Sequence, residues 1–280
     1  MSSRRRFMLG LGGAVLGVWD SANPAAAAEG IETAWARIAR TRVMRIGAVA
    51  GATPYYRKDI VSGQWQGFMI DLAQDLADGL KVQLDIHETT WGNAVPDLEA
   101  NKIDLFFGLN PTPQRALVVD FSEPLFNNAF VLLARRDFTA STWEALNQPA
   151  FKVSVDSGSS HDQMITRTCP NASVTRLESS ADATLALQSG RVDAQVLVVI
   201  LALSVLKKNP SLGHIVVPAP VQSTTTNIGF RKEDDKAWQA YVNKWVAQAR
   251  ASGRVREIVL GNLDKLVGVK ADEIPAQISF

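Results

Sequence analysis

The chain has 280 residues, with 29 basic against 28 acidic side chains, and it is 46% hydrophobic and 20% charged. That balance is too apolar for a disordered protein and too neutral to give a basic field for nucleic acid or a polybasic membrane patch. One cysteine, Cys169, excludes an internal disulfide and a thiolate zinc cluster. The three histidines, His87, His161 and His214, are too scattered to suggest an imidazole-built metal site, so no cofactor is expected.

Residues 1–28 read as an export signal. Arg4-Arg5-Arg6 precedes an apolar run from Leu9 to Val18, and a small-residue stretch closes on Ala26-Ala27-Ala28. Paired arginines ahead of a modest apolar core resemble a bacterial twin-arginine signal, and Ala-x-Ala offers a cleavage point. The apolar run is too short to span a hydrocarbon layer of ~30 Å, which argues against a membrane anchor. Removing residues 1–28 takes away three arginines and Asp20, leaving 26 basic and 27 acidic groups. The expected product is a soluble, nearly neutral monomer in the periplasm.

Strand and helix patterns then alternate. Val43 to Val49 is a short apolar strand; Met69, Leu72, Ala73, Leu76 and Leu80 form a helical stripe; Val82, Leu84 and Ile86 alternate as a second strand. Ala94 to Leu98 predicts a helix, Ile103 to Phe107 a strand, and Asn128 to Ala134 a longer one. The pattern restarts with strand Phe151–Val155, helix Ser160–Thr168, strand Val174–Leu177, helix Ala181–Ser189 and strand Val192–Val198. A further strand, Thr226–Arg231, precedes helices Asp234–Ala251 and Arg254–Leu260, separated by Gly253. Residues 265–280 lack a period and are expected to wrap the surface. Repeated strand–helix units predict an α/β fold with mostly parallel sheets covered on both faces, and the restart predicts two of them. Ligands of such sheets bind beyond the carboxyl ends of the strands, which here are the loops after Val49, Phe107, Val155 and Val198.

Those loops carry a resemblance. Gly67-Phe68-Met69-Ile70-Asp71-Leu72-Ala73, Asn101-Lys102-Ile103-Asp104, Gly108-Leu109-Asn110-Pro111-Thr112-Pro113-Gln114-Arg115, Asp120-Phe121-Ser122-Glu123-Pro124-Leu125, Ser157-Gly158-Ser159-Ser160 and Gly190-Arg191-Val192-Asp193-Ala194 occur in this order. Each is a weak word alone. Six in register resemble the periplasmic amino-acid-binding proteins of ABC importers, the bacterial extracellular solute-binding proteins of family 3, over roughly residues 43–262. The resemblance implies two doubly wound lobes joined by two crossing strands, the type II periplasmic binding fold. Lobe 1 would be 43–132 plus 223–264, lobe 2 would be 137–222, and 265–280 a C-terminal tail. It further implies a hinge that closes on a small carboxylate or amino acid, with an ABC permease in the inner membrane as partner.

By the same resemblance Arg115 forks onto the ligand carboxylate, a role that suits a planar guanidinium in a partly dry cleft. Gly108, Asn110 and Thr112 belong to the ligand loop, Asn110 standing where a Ser or Thr is usual. Ser159 and Ser160 would offer donors at a helix N-terminus, where an N-cap is the plainer reading. Trp91 falls at a stacking position and also reads as core; Tyr55 and Tyr56 read equally as packing or ligand contact. The departures concern the ligand's ammonium. The acid expected on the strand end is replaced by Val198, the acid of the first strand by Val49, and the neighbouring aromatic by Ala52. Either Glu178 or Asp156 substitutes, or the ligand has no free α-amine, and the residues favour the second reading. A dehydratase of cyclohexadienyl acids on the same fold is the alternative function, with Glu178 as its acid. A ligand-free interaction subunit is the third, against which Arg115 argues.

Overall fold

The computed structural model describes residues 32–280, so the export signal expected over 1–28 lies outside the described residues. In chain order the elements begin with α1 (Ala34–Thr41), β1 (Val43–Val49), β2 (Arg57–Lys58), β3 (Trp65–Gln66), α2 (Phe68–Leu80) and β4 (Gln83–Thr89). Then come α3 (Ala94–Glu99), β5 (Phe106–Leu109), α4 (Pro113–Val118), β6 (Val119–Phe121) and β7 (Phe126–Ala134). After α5 (Trp143–Leu146) the pattern runs β8 (Lys152–Asp156), α6 (Ser160–Thr168), β9 (Ser173–Leu177), α7 (Ser180–Gln188), β10 (Ala194–Val198) and α8 (Val199–Lys208). The chain ends with β11 (His214–Val216), β12 (Ser223–Arg231), α9 (Ala237–Ala251) and α10 (Arg254–Val267).

Two lobes joined by two crossing strands follow from the strand register. On one side β1 and β4 run parallel from Val43↔Gln83 to Val49↔Thr89, and Ile46 bridges Leu105 just ahead of β5. β5 and β6 pair antiparallel with the second half of β12. On the other side β8 lies parallel to β9 and β10, while β10 pairs antiparallel with β7 from Phe130 to Ala134. The first half of β7 and the first half of β12 pair with each other, Phe126↔Thr226 to Ala129↔Ser223. Each crossing strand therefore begins in one set of partners and ends in another. This corrects the expectation of mostly parallel sheets: β7, β11 and β12 make the larger sheet mixed.

The packing explains the elements. Met44, Ile46 and Ala48 of β1 are fully buried, and α2 covers them with Phe68, Met69, Leu72, Ala73, Leu76 and Ala77, the stripe of a 3.6-residue period. The edge strand β4 alternates exposed and half-buried positions, as one solvated face requires. Several boundaries differ from the sequence expectation. The Ile103–Phe107 strand forms later, at Phe106–Leu109, because Asp104 and Leu105 are held by the Arg45 carbonyl. Helices α1 and α8 and strand β11 are additional, and α10 runs past Leu260 to Val267, with Leu263 and Val267 buried. The tail is not merely draped: Ile278 is buried, and the main chains of Ser279 and Asn127 of β7 bond each other.

Candidate functional site

A cavity forms where the carboxyl ends of β5, β8 and β10 converge. It is lined by Tyr55, Trp91, Gly108, Asn110, Arg115, Ser159, Ser160, His161, Val198 and Leu201, and its empty space, including the part open to solvent, is about 300 Å³. Eight of these were singled out in the sequence; His161 and Leu201 were not.

Arg115 dominates the cavity. Thr112 is the N-cap of α4, its Oγ1 accepting from the Arg115 N–H at 3.2 Å, and Pro113 occupies the first helical turn. Thr112 does not itself line the cavity; its hydroxyl is engaged in setting the helix that carries Arg115. The Arg115 residue is only 5% exposed. Its Nη1 donates to the Asn110 carbonyl at 3.0 Å, and its Nη2 to the carbonyls of Gly158 at 3.0 Å and Trp91 at 3.3 Å. Among the described residues no carboxylate forms an ion pair with it. Burial pushes its pKa down to about 10, against which the charge of Asp156 acts, so the group remains a cation at neutral pH.

The neighbours set shape and polarity. Gly108 has φ +78°, and a Cβ there would meet Met69 Cε and Tyr55 Cδ1 at 3.2 Å, so the strand end needs glycine. Asn110 donates from Nδ2 to Thr224 Oγ1 at 3.4 Å. Tyr55 is buried, receives Asn128 Nδ2 at 2.9 Å, and meets Trp91 edge-on at 6.3 Å between ring centroids. Trp91 also packs on Phe106 at 5.6 Å, and its Nε1 is buried without a partner. It is thus both core and cavity wall.

Ser159 is the N-cap of α6, its Oγ accepting from the Asp162 N–H at 3.1 Å, while Asp162 Oδ2 accepts from the Gly158 N–H at 3.0 Å. One donor at the mouth of this helix is therefore taken by the chain's own carboxylate. One residue beyond Ser160, His161 Nε2 makes a short hydrogen bond to Asp156 Oδ1, both groups being buried. An ionised carboxylate only accepts, so the ring nitrogen donates. The pair links the end of β8 to the first turn of α6, a juxtaposition that spacing along the sequence does not signal.

Glu178 lies elsewhere. It lines a second cleft, whose empty space including the part open to solvent is about 670 Å³, together with Val49, Ala52, Glu88, Thr89, Trp91, Asp156, Ser179 and Asp182. Trp91 belongs to both spaces and forms the wall between them. Val49 and Ala52, read as lost ligand contacts, stand in this second cleft, whereas Val198 stands in the first.

Residues 44–261 match the family model described as bacterial extracellular solute-binding proteins, family 3. The chain is 26% identical to the ABC transporter arginine-binding protein 1 of Escherichia coli, over 75% of this chain and 86% of that protein. It is 23% identical to the cyclohexadienyl dehydratase of Pseudomonas aeruginosa, over 79% and 82%. Among solved structures, the ancestral amino-acid-binding protein AncCDT-1, a precursor of cyclohexadienyl dehydratase, superposes with a TM-score of 0.73 at 29% identity, covering 84% of this chain and all of that one. A family match over most of the chain, joined to the fold and topology above, settles its kinship: the chain belongs to the bacterial extracellular solute-binding proteins of family 3.

Proposed function

We propose that the chain is the solute-binding component of an ABC importer and holds an amino acid or a related small carboxylate between its lobes. The observation that carries this reading is Arg115: a nearly buried cation whose hydrogen-bond acceptors among the described residues are all main-chain carbonyls, at the wall of a cavity at the ends of β5, β8 and β10. A desolvated cation that no carboxylate pairs directly, with only the charge of Asp156 acting on it, is costly, and a bound carboxylate would supply two charge-assisted bonds. Residues 43–132 with 223–264 would form one lobe and 137–222 the other, with 265–280 as tail. Ligand would favour the closed arrangement that the permease recognises, after export to the periplasm by cleavage of residues 1–28.

The experiment is a thermal-shift screen of the protein lacking residues 1–28 against amino acids and neutral carboxylates. A site-specific binder at a hundred times its Kd adds about 2.7 kcal/mol. Arg115→Ala is expected to abolish the shift of any carboxylate that binds; an unchanged shift removes Arg115 from the site.

One observation favours a second reading. The His161–Asp156 pair sets an oriented imidazole at the cavity wall, the kind of group through which a proton could pass when a cyclohexadienyl acid loses a hydroxyl group. Turnover of such acids, lost in His161→Gln, would select the dehydratase over the transporter component.

A further inference from the structure

The sequence left the ligand's cation without a seat, and the geometry points to one. We propose that the cleft on the far side of Trp91 binds a cationic group, so that the ligand is a carboxylate carrying its positive charge at the distal end of a short chain rather than on the α-carbon. The proposal rests on the reading of Arg115 as the carboxylate partner.

The Arg115 cavity has no carboxylate in its wall. Val198 and Leu201 are buried and apolar, and the remaining lining groups are Tyr55, Trp91, Gly108, Asn110, two serines and His161. An α-ammonium held there would lie beside a buried guanidinium with no counter-charge in the wall. Beyond the indole the polarity reverses. Glu88, Asp156, Glu178 and Asp182 line the second cleft, and no lysine or arginine does. Three of the four are already engaged in whole or part, Glu88 by Lys58 Nζ at 2.6 Å, Asp182 by Ser179 at the start of α7, and Asp156 at one oxygen by His161. Glu178 is exposed, and among the described residues no hydrogen bond or ion pair engages its carboxylate.

Asp156 provides the independent observation. The residue is 2% exposed, Oδ1 accepts from His161, and Oδ2 is buried with no donor among the described residues. A buried carboxylate oxygen left without a donor is rare and costly. A protonated amine or guanidinium entering the cleft would supply the donor, with Glu178 closing over it. The indole of Trp91 between the two spaces then spaces anion from cation and packs on the methylenes that join them. Asp156 through His161 also touches the wall of the first cavity, so occupation of the two ends is physically linked.

The test is calorimetric titration of the protein lacking residues 1–28 with 4-aminobutanoate, 5-aminopentanoate, 6-aminohexanoate and 5-guanidinopentanoate, each set against the alkanoate of the same chain length. At least one ω-cationic acid is expected to bind ten-fold or more tighter than its alkanoate. Asp156→Asn is expected to bring the ω-cationic acid down to the affinity that the same variant shows for the matching alkanoate. Glu178→Gln, at an exposed position, keeps the test available if Asp156→Asn fails to fold, and is expected to weaken the same preference. Equal binding of alkanoates and ω-cationic acids would overturn the proposal, as would tighter binding of L-alanine or L-leucine than of every ω-cationic acid. If pentylamine instead binds as well as 5-aminopentanoate and Arg115→Ala changes nothing, the carboxylate reading of Arg115 is what fails, and the proposed ligand class falls with it.

Discussion

A Cβ on Gly158 would lie 2.6 Å from the Cα of Gly92, so the turn ahead of α6 and the turn after β4 meet backbone to backbone. The same turn gives its carbonyl to Arg115, 3.0 Å away. Gly158 has φ +72°, where an L-residue costs roughly 1–2 kcal/mol, and here the added methyl would also hold the two turns apart. Gly158→Ala is therefore expected to weaken ligand binding at least ten-fold. Gly190→Ala is the control: φ is +71° but nothing lies within 4 Å of its Cβ, so it should lower Tm by a few degrees through strain alone and leave affinity intact. Equal affinity losses in the two variants would mean that the Gly92 contact has no part in closure.

Thr112 would act on a carboxylate ligand through another residue. Its hydroxyl caps α4 at the Arg115 N–H, so it fixes where the guanidinium starts. Loss of an N-cap typically costs ~1 kcal/mol. Thr112→Ala should show that loss in urea denaturation and a several-fold rise in Kd for carboxylates. Thr112→Ser restores the capping oxygen and should recover both. A Kd unchanged in Thr112→Ala would leave the threonine with a purely structural role.

How much of this was legible in the sequence depends on whether the signal is local. The α2 stripe and β1 are written in adjacent residues, and the structure has them where the pattern lies. Helix α8 was missed because Val196 to Val205 is apolar with little polar interruption, and the helix begins at its N-cap Val198 without a side-chain cap. A fully buried segment has no polar face to reveal its period. The short α1 was passed over although Trp35, stacked on Trp238 at 5.1 Å, anchors it to α9, because that partner is supplied only by folding. At the site, glycines and the arginine announced themselves through local motifs. The His161–Asp156 bond spans only five residues but depends on how the turn between β8 and α6 folds back, and the segregation of acids behind Trp91 arises from the meeting of separate strand ends, which no single stretch of sequence contains.

Alkaline pH should expose the buried phenols. Tyr55 and Tyr56 are both fully enclosed, and burial raises both pKa values well above the usual 10; Tyr56 donates to the Phe107 carbonyl at 2.5 Å. In the unfolded chain each phenol ionises near pH 10, while in the folded chain it stays protonated. Their contribution to stability is therefore complete below pH 10 and falls as pH rises above it, by about 1.4 kcal/mol per unit for each group. Urea midpoints measured from pH 8 to 11 should be flat at first and then drop. Tyr55→Phe should roughly halve the contribution of these two groups to the slope; an identical slope in that variant would assign the alkaline loss to other groups.

Asp104 gives the clearest case of a family motif that serves the fold and not the ligand. It closes the Asn101-Lys102-Ile103-Asp104 turn, its side chain is wholly buried, and it binds two arginines from different elements. Oδ1 accepts from Arg37 Nε at 2.9 Å and from Arg45 Nη2 at 2.8 Å, and Oδ2 accepts from the Arg45 main-chain N–H at 2.7 Å. The carboxylate thereby pins α1 and β1 to the turn that leads into β5. Removing one partner of a buried ion pair costs about 3–5 kcal/mol. Arg37 and Arg45 keep 11% and 20% of their side-chain surface in water, so Asp104→Ala belongs near the lower end of that range. The expected result is a lower urea midpoint with an unchanged m-value, and little relief from 0.5 M salt, since buried charges are weakly screened. Among molecules that remain folded, carboxylate affinity should match the parent protein, because Asp104 touches neither the Arg115 cavity nor the acidic cleft. A stability loss below 1 kcal/mol would show that the two arginines re-solvate freely and that the cluster is a surface feature after all.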